Sequence, residues 1–152
     1  MEPAFYVAVV GPADADADAE ALAEGVGSAL GAAGAVLVCG GLGGAMAAAC
    51  RGAKEAGGTT VGLLPGSDRM AANPWVDVAV ATGLGEARNA LVVRAADAVI
   101  AVGGGYGTLS EIALALKVGR PVIGLATWAI PGVETVAFPG DAALRAMERA
   151  GR

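Results

Sequence analysis

The 152-residue chain has no histidine. That excludes His-based acid/base chemistry and His-containing zinc sites, so any proton transfer falls to carboxylates, a tyrosine or water. Charge is scarce, at 16% of residues, and it is unbalanced: 10 Lys and Arg face 15 Asp and Glu, for a net charge of -5. No basic cluster of the kind that grips a polyanion is present, which argues against nucleic acid as a partner. No apolar run approaches a transmembrane length, so no membrane partner is expected. MEPAFYVAVV lacks both a basic region before its apolar run and a small-residue cleavage site after it. It therefore reads as a first strand and not as a signal peptide, and a cytoplasmic setting is expected. Only 2 cysteines occur. Cys39 closes a strand and Cys50 lies in an alanine-rich helix, and both read as small buried hydrophobes.

What the chain has in abundance is apolar residues, 55%, and 25 glycines. A single domain of this length buries roughly 70% of its unfolded surface, enough for one good core. Ala4 to Val10 is an unbroken apolar run stopped by Gly11-Pro12, as expected of a strand covered on both faces, and Gly11 opens a first ligand-facing loop. The Ala/Asp alternation from Ala13 to Asp18 then leads into apolar residues at helical spacing, so the acidic run reads as a solvated helix start. A metal site of Asp14, Asp16 and Asp18 is rejected, because i, i+2 spacing splays these side chains and no EF-hand glycine or glutamate follows. No metal or resident cofactor is expected.

The same grammar of strand, glycine turn and helix returns twice. Ala35 to Cys39 leads through Gly40-Gly41-Leu42-Gly43-Gly44 into a helix over Ala45 to Ala56. These glycines fit a ligand-facing loop and close helix–strand packing equally well. Thr59 to Leu64 is the third strand. Ser67 to Pro74 has the length and polarity of a lid or specificity loop, Trp75 to Val80 is a short fourth strand, and Gly85 to Ala96 is a helix carrying Glu86, Arg88 and Asn89 early. After the fifth strand, Ala98 to Val102, comes the most informative stretch, Gly103-Gly104-Gly105-Tyr106-Gly107-Thr108-Leu109-Ser110-Glu111, which opens a helix over Leu109 to Val118. So many glycines let backbone N–H groups approach an anion closely with a helix N-terminus behind them, so a phosphate is the natural ligand. The turn has no P-loop lysine, and Thr108 stands where a dinucleotide fingerprint needs its last glycine. A sixth strand at Pro121 to Leu125, a short strand near Val133 to Ala137 and a closing helix over Asp141 to Ala150 complete the pattern. Alternating βα units predict an α/β, Rossmann-like, doubly wound and mainly parallel sheet of about six or seven strands with helices on both faces. Ligands then bind at the carboxyl ends of the strands.

GGGYGTLSE, with Gly85-Glu86-Ala87-Arg88-Asn89 upstream, resembles the "lonely guy" nucleotide phosphoribohydrolases once mislabelled lysine decarboxylases. GGLGGAM, LLPG, ANPWVD and TGLGEARN resemble a small branch of that superfamily related to molybdenum-cofactor carrier proteins. The resemblance spans nearly the whole chain and implies a Rossmann-like fold, a homodimer or homotetramer and a site for a phosphorylated small molecule. It also implies roles for residues. Glu111 would bind ribose hydroxyls and stabilise oxocarbenium character as an N-glycosidic bond breaks, and Arg88 would orient the phosphate or assist the leaving base. Gly104 to Gly107 and Thr108 would hold the phosphate, with Gly103, Gly11, Gly40, Gly41, Gly43, Asn89 and Tyr106 nearby. The residues alone leave another reading open, since Thr108-Leu109-Ser110-Glu111 is also a capping box in which Glu111 closes the helix. Tyr106 fits equally a ring packed over the turn and a stacking platform. The established hydrolases carry an Arg-Lys pair behind a histidine motif and a proline before the glycines, where this chain has Arg88-Asn89 and Val102. Those departures weaken the case for cytokinin-type hydrolysis and leave phosphate binding untouched. Two readings stand: a nucleoside 5'-monophosphate hydrolase, and a non-catalytic carrier of a phosphorylated cofactor such as molybdopterin.

Overall fold

A computed structural model describes residues 3–151. Among the described residues are seven strands, β1 (Tyr6–Val10), β2 (Val36–Cys39), β3 (Thr59–Leu64), β4 (Val78–Ala81), β5 (Ala98–Val102), β6 (Val122–Leu125) and β7 (Val133–Val136), and five α-helices, with no α-helix between β3 and β4 or between β6 and β7. The helices are α1 (Ala17–Ala32), α2 (Ala45–Glu55), α3 (Arg88–Ala95), α4 (Tyr106–Lys117) and α5 (Pro139–Ala150). The sheet is parallel throughout, in the order β4-β3-β2-β1-β5-β6-β7. The doubly wound fold expected from the βα alternation is the fold observed.

Side-chain alternation along the central strands builds two cores. Val7 and Val9 of β1, with Ala98, Ile100 and Val102 of β5, face α1, α2 and α5. Ala8 and Val10, with Val99 and Ala101, face α3 and α4. A period of two on a sheet covered on both faces leaves no polar position in these strands, which is why they read as unbroken apolar runs. On the first face α1 and α2 approach so closely that a Cβ on Gly27 would lie 1.9 Å from the Ala49 carbonyl oxygen.

Around β4 the structure differs from the sequence reading, and the helix read from Gly85 begins as α3 only at Arg88. The fourth strand begins at Val78, not Trp75, because the residues before it are committed to side-chain bonds: the Thr60 hydroxyl donates to the Trp75 carbonyl at 2.6 Å, and Asp77 accepts from the Thr60 amide and from Lys54. The loop before it is tied down by Asn73, whose amide group donates to the Leu42 carbonyl at 2.9 Å. The fourth and fifth strands, consecutive in the chain, are not neighbours in the sheet, since β3, β2 and β1 lie between them. The chain runs outward from β1 to β4, and α3 then carries it back across β3, β2 and β1 to β5. The reversal point of the sheet is thus the gap between β1 and β5, where a doubly wound fold opens a crevice at the carboxyl ends.

Candidate functional site at the glycine turn

Two loops flank that crevice: Gly11-Pro12 after β1 and Gly103 to Gly105 after β5. A Cβ on Gly11 would lie 2.6 Å from the Ala45 Cβ and 2.8 Å from the Val102 carbonyl oxygen, so this glycine lets the two loops and α2 close together. Gly103 takes a φ of +73° and Gly105 one of +150°, conformations a side chain would strain. Helix α4 starts at once afterwards, at Tyr106 and not at Leu109. Its first bond runs from the Leu109 amide to the Gly105 carbonyl at 3.0 Å, which leaves the amides of Tyr106, Gly107 and Thr108 without helical partners.

That early start removes the capping-box reading. Gly105 is the cap residue and no side chain caps the helix, so Thr108 lies in the first turn and Glu111 in the second. Both side chains are instead buried, Thr108 at 2% exposure and Glu111 at 6%, and so is Arg88 at 8%. The three line one cavity of about 250 Å³, together with Asn89, Gly11, Leu42, Met46 and Gly105 to Gly107. A second cavity of about 510 Å³ lies on the other side of the turn, lined by Gly103, Gly104, Asp14 and Asp16. Asp16 itself caps α1, accepting from the Ala19 amide at 2.8 Å, in keeping with the acidic run as a helix start.

Arg88 reaches the cavity by a route the sequence did not disclose. It is the first residue of α3, the helix that packs over β1, β2 and β3, and its guanidinium passes against Gly40, where a Cβ would be 2.6 Å from Nη2. Gly40 therefore makes room for the arginine. The second glycine turn contributes Leu42 to the cavity wall, whereas Gly40, Gly41 and Gly43 do not line it. The guanidinium donates from Nη1 to the Asn89 Oδ1, and its Nε, like the Thr108 Oγ1, is buried without a hydrogen-bond partner.

Glu111 has no ion-pair partner among the described residues. Burial pushes its carboxyl up to about 7, with the Arg88 charge offsetting part of that rise. A carboxyl group with such a pKa carries a proton about half the time near neutrality. Behind the wall, the Cys39 and Cys50 sulfurs sit 3.5 Å apart as buried free thiols, and the bond to Cys50, with burial, pushes the Cys39 thiol up. Tyr106 stands apart from these groups with its ring exposed and facing Trp128, a residue the sequence reading had left without a role.

A seven-stranded parallel sheet, doubly wound, with a glycine turn and buried, unpartnered polar atoms at its reversal point defines a Rossmann-like domain. The chain belongs to the SLOG cluster4 family, whose profile matches residues 4–146. It is 34% identical to the molybdenum cofactor binding protein of Rippkaea orientalis, with a TM-score of 0.92 over 100% of both chains. It is also similar to the molybdenum cofactor carrier protein of Chlamydomonas reinhardtii, at 33% identity and a TM-score of 0.90 over 99% of this chain and 100% of that one. An uncharacterised protein of Archaeoglobus fulgidus is 44% identical over 78% of either chain. No described helix is long and apolar enough to cross a membrane.

Proposed function

We propose that this protein binds a phosphorylated small molecule without transforming it, with the phosphate in the cavity formed by Arg88, Thr108 and the first-turn amides of α4. The cargo that fits best is a pterin-type cofactor such as the molybdenum cofactor. One observation carries this reading: Thr108 Oγ1 and Arg88 Nε, on two residues that line the cavity, are buried with no partner in the protein. Leaving such groups unpaired costs roughly 1–3 kcal/mol each, a cost an anionic ligand with several acceptor oxygens would relieve. Whole-chain likeness to a cofactor-binding and a cofactor-carrier protein supports carriage over catalysis.

Thr108→Val tests the site directly, since it keeps the shape and removes the hydroxyl. Melting temperature should hold or rise, because an unpaired buried hydroxyl is lost. Affinity for inorganic phosphate in calorimetry should fall roughly tenfold or more, the scale of one hydrogen bond to a charged group. Unchanged phosphate affinity would place the anion elsewhere.

A second reading is favoured by one feature, the Glu111 carboxyl poised near neutrality beside the same cavity. There it would stabilise positive charge on a ribosyl ring while the phosphate is held by Arg88, in hydrolysis of a nucleoside 5'-monophosphate. Incubation with nucleoside monophosphates separates the two. Stoichiometric binding with no free base is expected of a carrier, and base release at enzymatic turnover would establish the hydrolase.

A further inference from the structure

Tyr106 is 85% exposed although it is the first residue of α4 and lines the anion cavity. Its ring lies within 24° of parallel to that of Trp128, with centroids 6.4 Å apart. Trp128 is held in turn, since its indole N–H donates to the Gly105 carbonyl at 3.1 Å. The glycine turn therefore carries a braced aromatic pair at the mouth of its own cavity.

Two further observations separate this pair from an ordinary exposed side chain. Ala126, just before Trp128, has a φ of +47° and is the one non-glycine in the left-handed region among the described residues. Strain of this kind outside glycine collects where the surrounding structure needs a particular chain direction, and here it turns the chain leaving β6 back toward the glycine turn. The approach is also open. A Cβ on Gly107 would meet nothing within 4 Å, and one on Gly104 would meet only the Trp128 Nε1, at 4.0 Å.

Resting on the anion site above, we propose that Tyr106, braced by Trp128, stacks the planar heterocycle of the ligand whose phosphate occupies the Arg88–Thr108 cavity. The site then selects aromatic phosphates over sugar phosphates. The glycines keep side chains away from the shelf, and the indole hydrogen bond fixes it relative to the amides that meet the phosphate. Stacking one base on an aromatic side chain shifts affinity roughly 10-fold to 100-fold.

The test compares guanosine 5'-monophosphate, which carries a fused planar heterocycle, with ribose 5-phosphate, which does not, by calorimetry on the full chain. The wild type should prefer the nucleotide by roughly tenfold or more. Tyr106→Ala should erase that preference while keeping ribose 5-phosphate affinity, Tyr106→Phe should retain it, and Trp128→Phe, which loses the indole hydrogen bond to Gly105, should reduce it. Equal binding of the two ligands by the wild type, or a Tyr106→Ala variant that weakens both alike, would overturn the shelf and leave the anion site standing. A wild type that binds neither ribose 5-phosphate nor inorganic phosphate would remove the anion site, and the shelf with it.

Discussion

The two glycine turns, Gly40 to Gly44 after β2 and Gly103 to Gly107 after β5, are written in the same grammar and do opposite things. In the first, the space a side chain would take at Gly40, Gly41 and Gly44 is already filled. A Cβ on Gly44 would lie 2.3 Å from the Ala13 carbonyl oxygen, and one on Gly41 would lie 2.8 Å from Leu64 Cδ2. In the second, the corresponding space at Gly104 and Gly107 is open. Glycine density therefore says only that the backbone must come close to something. Whether that something is the protein or a ligand depends on topology: the β2 turn is flanked by β1 and β3, whereas the β5 turn sits where the sheet reverses direction.

The comparison breaks most visibly at Gly44. Its φ of +61° and the blocked space make Gly44→Ala both strained and overpacked. The expected loss is about 3 kcal/mol or more in denaturant unfolding, which in a domain of ordinary stability removes much of the folded population. A variant with wild-type stability would show that the first turn relaxes freely and that its glycines are not there for packing.

Next in size is the charge buried beside the second turn. Glu111 has a folded pKa of about 7 against a reference of 4.5, so the native state holds a proton that the unfolded chain has already released between those values. Its contribution is therefore neutral below about pH 4.5, grows unfavourable as pH rises, and levels off above about pH 7 at a cost of up to about 3 kcal/mol. Glu111→Gln should accordingly stabilise the protein at pH 8 and do little at pH 4.5. The same titration should appear in ligand binding. Sulfate, whose charge is constant over this range, should bind more tightly at pH 6 than at pH 8 in the wild type and equally in Glu111→Gln. A wild type with pH-independent sulfate affinity would mean that the carboxylate does not face the anion.

How much of this was legible beforehand follows from the range over which each feature is encoded. β5 falls on Ala98–Val102 as read, because an apolar run between a helix and a glycine turn is a local signal. The start of α4 was not local in that sense. Gly107 in its first turn lowers helix propensity, and the helix begins at Tyr106 all the same, where the turn delivers the chain. Glu111 could be singled out from its motif, but its burial depends on α3 returning across the sheet, which no spacing within the chain announces. Trp128 was missed for the same reason: nothing between β6 and β7 marks it until the fold sets it against Gly105.

Ala126 yields a smaller effect of opposite sign from Gly44. It is exposed, so Ala126→Gly loses no packing, and at a φ of +47° glycine relieves strain. Relief of the left-handed conformation exceeds the added freedom of the unfolded chain, so a gain of about 1 kcal/mol or less is expected in the melting curve. Destabilisation instead would mean that the Ala126 backbone is unstrained and that Trp128 is positioned by other contacts.

The smallest expected change is the one that sharpens the comparison most. Gly107 is helical, has no positive φ, and faces empty space. Alanine there restricts the unfolded chain and improves helix propensity, so Gly107→Ala should leave stability unchanged or raise it by roughly 0.5–1 kcal/mol. If the glycine is kept for an approaching ligand and not for folding, the cost of the added methyl group should appear as weaker phosphate binding in calorimetry while the melting temperature holds. A variant as unstable as Gly44→Ala would mean that the β5 turn is closed by packing after all. One that binds phosphate as the wild type does would show that the ligand leaves room at this position, moving the closest approach to the amides of Gly105 and Tyr106.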